Sequence, residues 1–244
     1  MESVSTNSQF QPQFEISPHN LGISNQVTIM AFGFDGQNLM TLGLSPSDNN
    51  QQLSLPQLSF KGERTLEEEA FKALEVLSPL PERRVYQVGA YSIKNASSEL
   101  FSMVDVCYFT LCRTTECPTI ITQAPAGMTA HWIKVSDLSS FPAEAQVRIN
   151  AALVELRKRA RFEEVVFSLL TTEFSLSDLQ RAYEAVLERP IDVRNFRKKI
   201  ESIDILNQSL EKPRGMAYRP PRLFTFSAEK FNARLKEDGE IRFY

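Results

Sequence analysis

The sequence predicts an α+β protein of two modules, a mixed sheet with helices on its faces followed by a winged helix-turn-helix. Three observations carry that prediction. Residues 27–141 alternate strand-like apolar runs with a capped amphipathic helix. Residues 174–226 read as helix, tight turn, basic helix and basic hairpin. Charge divides in the same place: residues 1–145 hold 8 Lys+Arg against 15 Asp+Glu, a net −7, and residues 146–244 hold 19 against 15, a net +4. An acidic front and a basic back suggest a second module that meets a polyanion. A solvated charged face is the other reading of the charge alone.

The chain opens with about 22 residues rich in Ser, Gln, Asn and Pro, expected to form a flexible tail. They lack the basic and apolar regions of a secretory signal. VTIMAFGFDGQNLMTLGL (27–44) places apolar residues on both sides of Asp35-Gly36, which reads as a hairpin. SPSDNNQQ is a loop. In LPQLSFKGERTLEEEAFKALEVLSPL a helix is expected over residues 66–76. Thr65 is its N-cap, Glu68 completes a capping box, and Glu67, Glu68 and Glu69 suit the helix dipole. RRVYQVGAYSI and DVCYFTLCR read as strands, and AHWIKVSDLSSF as a last strand with a short helical turn. Residues 142–170 read as helical, with Pro142 in the first turn and a break near Arg161. Ile149, Leu153 and Leu156 form a stripe that faces either a partner chain or the protein's own sheet.

In the second module Ser175 and Asp178 form a variant capping box for a helix through Leu187, with Leu179, Tyr183 and Val186 buried. ERPID is a tight connector. Asp192 caps VRNFRKKIESI, whose Phe196, Ile200 and Ile203 point inward. Arg194 and Asn195, near the helix start, are placed to reach base edges. Arg197, Lys198 and Lys199 are placed for phosphates. Lys212, Arg214, Arg219 and Arg222 belong to a Gly/Pro-rich hairpin that would grip the backbone or minor groove. Residues 194–222 hold 8 basic residues against 3 acidic. That excess favours nucleic acid over a protein-binding winged helix.

Other chemistries find little support. Cys107, Cys112 and Cys117 have no CxxC pair and read as reduced thiols of a cytoplasmic protein; a three-cysteine metal site is the sharper alternative, with the wrong spacing. The histidines are His19, in the tail, and His131, so a Ser-His-Asp triad or His-rich metal centre would rest on one residue. No run of 18 apolar residues exists to cross a membrane.

FSLSDLQRAYEAVLERPIDVRNFRKKI and RPPRLFTF, preceded by VVFSLLTTEF, resemble the C-terminal pattern of the Nudix-related transcriptional regulators, the NrtR family, over residues 160–227. LPQLSFKGERTLEEEAFKALEVLSPL is similar to the Nudix box region without a gap. In that alignment the paired glycines become Gln57 and Leu58, and the first glutamate becomes Arg64. The Arg-Glu pair becomes Lys72 and Ala73, the metal-binding Glu-Glu pair becomes Val76 and Leu77, and the closing glycine becomes Pro79. Nudix hydrolysis needs clustered carboxylates to hold Mg²⁺ on a diphosphate. The resemblance therefore implies a retained fold without the catalytic set: no enzyme, no metal and no cofactor. Glu67, Glu68 and Glu69 are expected to be capping and solvated charges.

The resemblance implies an N-terminal Nudix-like α/β/α sandwich and a C-terminal winged helix. The expected boundaries are a tail over 1–22, a sensor domain over 23–141, a connecting helix over 142–160 and the winged-helix domain over 161–244. It implies a cytoplasmic homodimeric repressor of NAD metabolism genes on a double-stranded DNA operator. The expected effector is ADP-ribose or a related nucleotide. Lys61, Arg64 and Lys72 are the candidates to neutralise its phosphates, and surface solvation is their other reading. Some members of the family sense a sugar and govern its use. A Nudix-type nucleoside diphosphate hydrolase and a protein-interaction scaffold are the remaining alternatives.

Overall fold

The computed structural model describes residues 25–46, 52–60, 64–77, 84–94, 102–113, 128–209 and 221–244. The tail, Lys61, Pro79, Cys117, His19 and the hairpin residues Lys212, Arg214 and Arg219 lie outside them.

Strand β1 (Asn25–Phe34) turns at Gly36 into β2 (Leu39–Pro46). Gly36 has φ +96°, a value that favours glycine. Asp35 Oδ1 accepts the Gln37 and Asn38 amides at 2.8 and 2.6 Å. The Asp-Gly hairpin is therefore built as the sequence predicts. Strand β3 (Gln57–Phe60) then pairs antiparallel with the start of β1. Helix α1 (Leu66–Leu77) follows, and its capping box is formed: Thr65 Oγ1 accepts from the Glu68 amide at 3.2 Å, and the Thr65 amide donates to Glu68 Oε2 at 2.8 Å. These bonds hold the exposed Glu68 carboxyl below its ordinary value. Strands β4 (Tyr86–Lys94), β5 (Ser102–Arg113) and β6 (Met128–Lys134) complete a sheet of order β4-β5-β1-β2-β6, with β3 beside β1. Among these pairings β1 and β5 are parallel.

Both faces of the sheet are covered. One face, with Val27, Ile29, Ala31, Val106 and Tyr108, packs with Ala70 of α1. The other, with Met30, Phe32, Phe34, Cys107, Phe109 and Leu111, packs under α2 (Ala143–Arg159). Pro142 is the N-cap of α2 rather than a first-turn residue, because its extended ψ of 154° keeps it outside the helix. Ile149, Leu153 and Leu156 face the protein's own core. The helix stops at Arg159, and a turn at Arg161 leads into a 3₁₀ helix (Glu164–Leu169), so the expected break is real and its second half is not α-helical.

The winged helix contains α3 (Leu176–Leu187), α4 (Val193–Ile203) and α5 (Ala228–Asp238). Its three-stranded sheet joins β7 (Phe174–Ser175), β9 (Leu223–Phe226) and β8 (Leu206–Gln208) in the order β7-β9-β8. Strand β9 lies at the end of the stretch that the sequence reads as a basic hairpin; β3, β7, β8 and α5 add to the elements that the sequence predicts. The core under α2 continues without interruption into this module through Val165, Val166 and Phe167. Phe243 is its hub. The ring lies 6.1 Å from Phe167, 6.0 Å from Tyr183 and 6.4 Å from Phe231, and its amide donates to Arg161 O at 2.7 Å.

Candidate nucleic-acid interface

Helix α3 starts on a complete capping box. Ser175 Oγ accepts the Asp178 amide at 3.1 Å, and Asp178 Oδ2 accepts the Ser175 amide at 3.0 Å. Burial would raise the Asp178 carboxyl. The Ser175 hydroxyl and amide, with Arg181, outweigh it and hold the group below its ordinary value. A carboxyl lowered on folding contributes stability that is complete above about pH 4 and lost as pH falls through the lowered value. Asp178→Ala, which removes the carboxylate that accepts from Ser175, is therefore expected to cost about 0.5–1.5 kcal/mol at pH 7, with the deficit against wild type shrinking below pH 4. Urea unfolding at pH 7, 5 and 3 measures both.

The connector to α4 is pinned by polar side chains of α3. Gln180 Nε2 donates to Ile191 O at 3.1 Å, and Glu184 Oε1 accepts the Ile191 amide at 2.9 Å. Glu188 ends α3 in the left-handed region at φ 53°. Asp192 then caps α4, its Oδ1 accepting the Asn195 amide at 2.8 Å. Arg157 of α2 reaches the same corner, donating to Val186 O at 3.0 Å and pairing with Glu188 at 2.6 Å. The two helices are thus fixed to each other and to α2 before any ligand arrives.

Phe196, Ile200 and Ile203 anchor α4. The Phe196 ring meets Tyr183 at 5.8 Å and stacks on Tyr244 at 5.7 Å. That anchoring turns Arg194, Asn195, Arg197, Lys198 and Lys199 outward together, all exposed. Among the described residues Arg194, Lys198 and Lys199 have no ion-pair partner, and Arg197 reaches Ser177 Oγ at 3.4 Å on the neighbouring α3. Arg222 is exposed just before β9. The sequence reading passes over Val193. It is 47% exposed at the first position of α4 and adjoins Arg194. An apolar side chain left outside immediately after an N-cap is its available signal, and it suits contact with a thymine methyl.

Of the residues expected to bind an effector, Arg64 and Lys72 are among those described, and both are exposed. Arg64 pairs with Glu69 at 3.6 Å. Glu69 is 6% exposed, so it is a buried charge and not the solvated one expected; the Arg64 guanidinium compensates it. Glu67 is exposed and accepts from Tyr108 OH at 3.4 Å. Burial and then that carboxylate push the Tyr108 phenol up to about 12. Among the described residues no three His, Cys, Asp or Glu side chains converge as metal ligands. Cys107 is a buried free thiol and Cys112 is buried as well; burial, then Asp105, pushes Cys107 up to about 12.

The model of the NrtR DNA-binding winged helix domain matches residues 166–226. The crystal structure of Shewanella oneidensis NrtR complexed with a 27-mer DNA shares 23% identity with this chain, with a TM-score of 0.68. That match covers 85% of this chain and 95% of that one. NrtR of the same organism, solved in a second crystal structure, shares 21% over 84% and 94%, also at 0.68. A MutT/nudix family protein from Enterococcus faecalis shares 12% over 84% and 86%, at 0.61. No curated protein sequence matches the chain. At these identities the likeness is one of fold: a Nudix-like mixed-sheet domain followed by a winged helix, the α+β arrangement that the sequence predicts.

Proposed function

From the premise that residues 166–226 are a winged helix of the NrtR DNA-binding type, we propose that the chain is a homodimeric transcriptional repressor of a double-stranded DNA operator. The observation that carries the reading is α4. Phe196, Ile200 and Ile203 bury one side, and the outward sides carry Arg194, Asn195, Arg197, Lys198 and Lys199. A helix of that construction fits the major groove, with Arg194 and Asn195 at base edges and the others on phosphates. Arg222, with Lys212, Arg214 and Arg219 of the preceding hairpin, extends the contact along the backbone. Two such helices in a dimer require a near-palindromic site.

Residues 23–141 act as the sensor, 142–160 as the connecting helix and 161–244 as the reader. The sensor binds an ADP-ribose-like nucleotide without turning it over, in the cytoplasm, and the regulated genes serve NAD metabolism. Support for sensing without catalysis lies in the box positions, where Arg64, Lys72, Ala73, Val76 and Leu77 stand for the family's catalytic residues. Lys61, Arg64 and Lys72 are the cations proposed for the nucleotide's phosphates. A ligand shifts the equilibrium only through different affinity for two arrangements of the reader halves.

A gel-shift on DNA upstream of this protein's own gene and its neighbours tests the reading, with ADP-ribose, NAD and several sugars added in turn. A specific shift released by ADP-ribose is expected, together with no Mg²⁺-dependent release of phosphate or AMP from ADP-ribose. Release by a sugar would move the regulon to sugar use, and ADP-ribose hydrolysis would restore the hydrolase. Absence of any specific shift at low salt would overturn DNA binding. Within the operator complex Arg194→Ala is expected to cost about 1–3 kcal/mol and relax preference at one base step. Lys198→Ala should weaken operator and random DNA alike and lower the salt slope by about one. Titrations at three salt concentrations separate the two.

A further inference from the structure

The buried stripe of α2 accounts for one side of that helix and leaves the other unexplained. Val147 is 60% exposed and Val154 is 50% exposed, two of the few large apolar side chains the described residues leave in water. They stand seven residues apart on one line of the helix, with Ala151 between them and Glu144 and Lys158 at its two ends. The spacing Glu144, Val147, Ala151, Val154, Lys158 is three, four, three, four, the seam of a helix pair. The line also reads the same from either end, acid for base: a charge, a valine, an alanine, a valine and the opposite charge.

We propose that α2 is the two-fold seam of the dimer, packed antiparallel on a second copy of itself. This rests on the homodimer proposed above and adds its surface and polarity. A two-fold axis at Ala151 sets Val147 against the partner's Val154, and Glu144 against the partner's Lys158, twice each. The small side chain at the axis lets the helices approach closely. A parallel pairing is opposed by charge, because the last turn carries Arg157, Lys158 and Arg159 and would meet its own copy. Lys158 lies 3.7 Å from Glu155 within its own helix and is 70% exposed, so a partner's carboxylate can reach it. The same helix holds Val186 O and Glu188 through Arg157. A change in how the two copies of α2 cross would therefore carry the two readers with it.

Charge exchange tests the seam, with dimerisation followed by sedimentation and melting temperature as the check on folding. Glu144→Lys alone and Lys158→Glu alone are each expected to weaken dimerisation by roughly tenfold or more. Mixing the two single variants, or combining both changes in one chain, should restore it, because every cross-seam pair is then again opposite in sign. Ala151→Cys should form a disulfide-linked dimer under mild oxidation. Glu144→Cys should not, since the antiparallel axis separates the two copies by about 21 Å along the helix. Single variants as dimeric as wild type would overturn the seam and keep the dimeric regulator. A wild-type chain monomeric at all concentrations would overturn the dimer itself. An Ala151→Cys chain that stays monomeric, and whose introduced thiol resists maleimide, would assign the stripe to another segment of the same chain and would likewise overturn the seam.

Discussion

Arg148→Ala is expected to lose about 3–5 kcal/mol of folding stability, measured by urea unfolding at pH 7. The side chain comes from the buried side of α2 and lies 2.8 Å from Asp105 Oδ2, at the start of β5. Asp105 is 0% exposed, and its other oxygen accepts the Thr28 hydroxyl of β1 at 2.7 Å. The guanidinium also lies over the Tyr91 ring of β4 at 5.5 Å. The Nε–H is poorly aligned on the carboxylate, so the contact is chiefly Coulombic. Four elements meet on this one pair. Removing the cation strands a carboxylate where water cannot reach it, which costs more than the pair itself contributes. The double variant Asp105→Asn, Arg148→Met separates these effects. It is expected to recover most of the loss, since no charge is then left alone. A double variant as unstable as Arg148→Ala would show that packing of the arginine, not the stranded charge, sets the cost.

Phe196→Ala should cost about 3–5 kcal/mol through the cavity it leaves. The ring is 0% exposed, with Tyr183 and Tyr244 against it and Ile200 a turn further along α4. The same substitution should abolish operator binding out of proportion to the population unfolded, because α4 loses the contact that sets its rotation. Phe196→Leu keeps most of the volume and is expected to cost less than about 1.5 kcal/mol. Full operator affinity in a folded Phe196→Ala protein would detach the reader's geometry from this core.

Where the determinants were local, the sequence displayed them. The Asp35-Gly36 turn, the Thr65–Glu68 and Ser175–Asp178 boxes and the Asp192 cap each lie within four residues, and all are formed. The stripe of α4 follows from a period of 3.6 and an amphipathic segment. Strands β3 and β8 escaped because their apolar pattern is short and their partners are remote: Gln57–Phe60 has meaning only beside β1, and Leu206–Gln208 only beside β9. The burial of Glu69 escaped for the same reason, and so did the Asp105–Arg148 pair, whose members are 43 residues apart with no local mark. Helix α5 has a readable Ser227 cap but buries only Phe231, too little for a stripe. Of the candidate site the helix face was legible residue by residue. The wing rests mostly on residues beyond those described.

The Phe243 hub has a consequence for synthesis on the ribosome. Helix α4 is synthesised about forty residues before Tyr244, whose ring covers Phe196, and before Phe243, whose ring meets Tyr183. At ordinary elongation rates that interval is about 2–8 s. Until it passes, the rings of Tyr183 and Phe196 lack that cover, and the orientation of α4 is not yet fixed. Translation order thus withholds a competent reader until residues 241–244 have emerged, while the sheet, complete by residue 134, has had time to form.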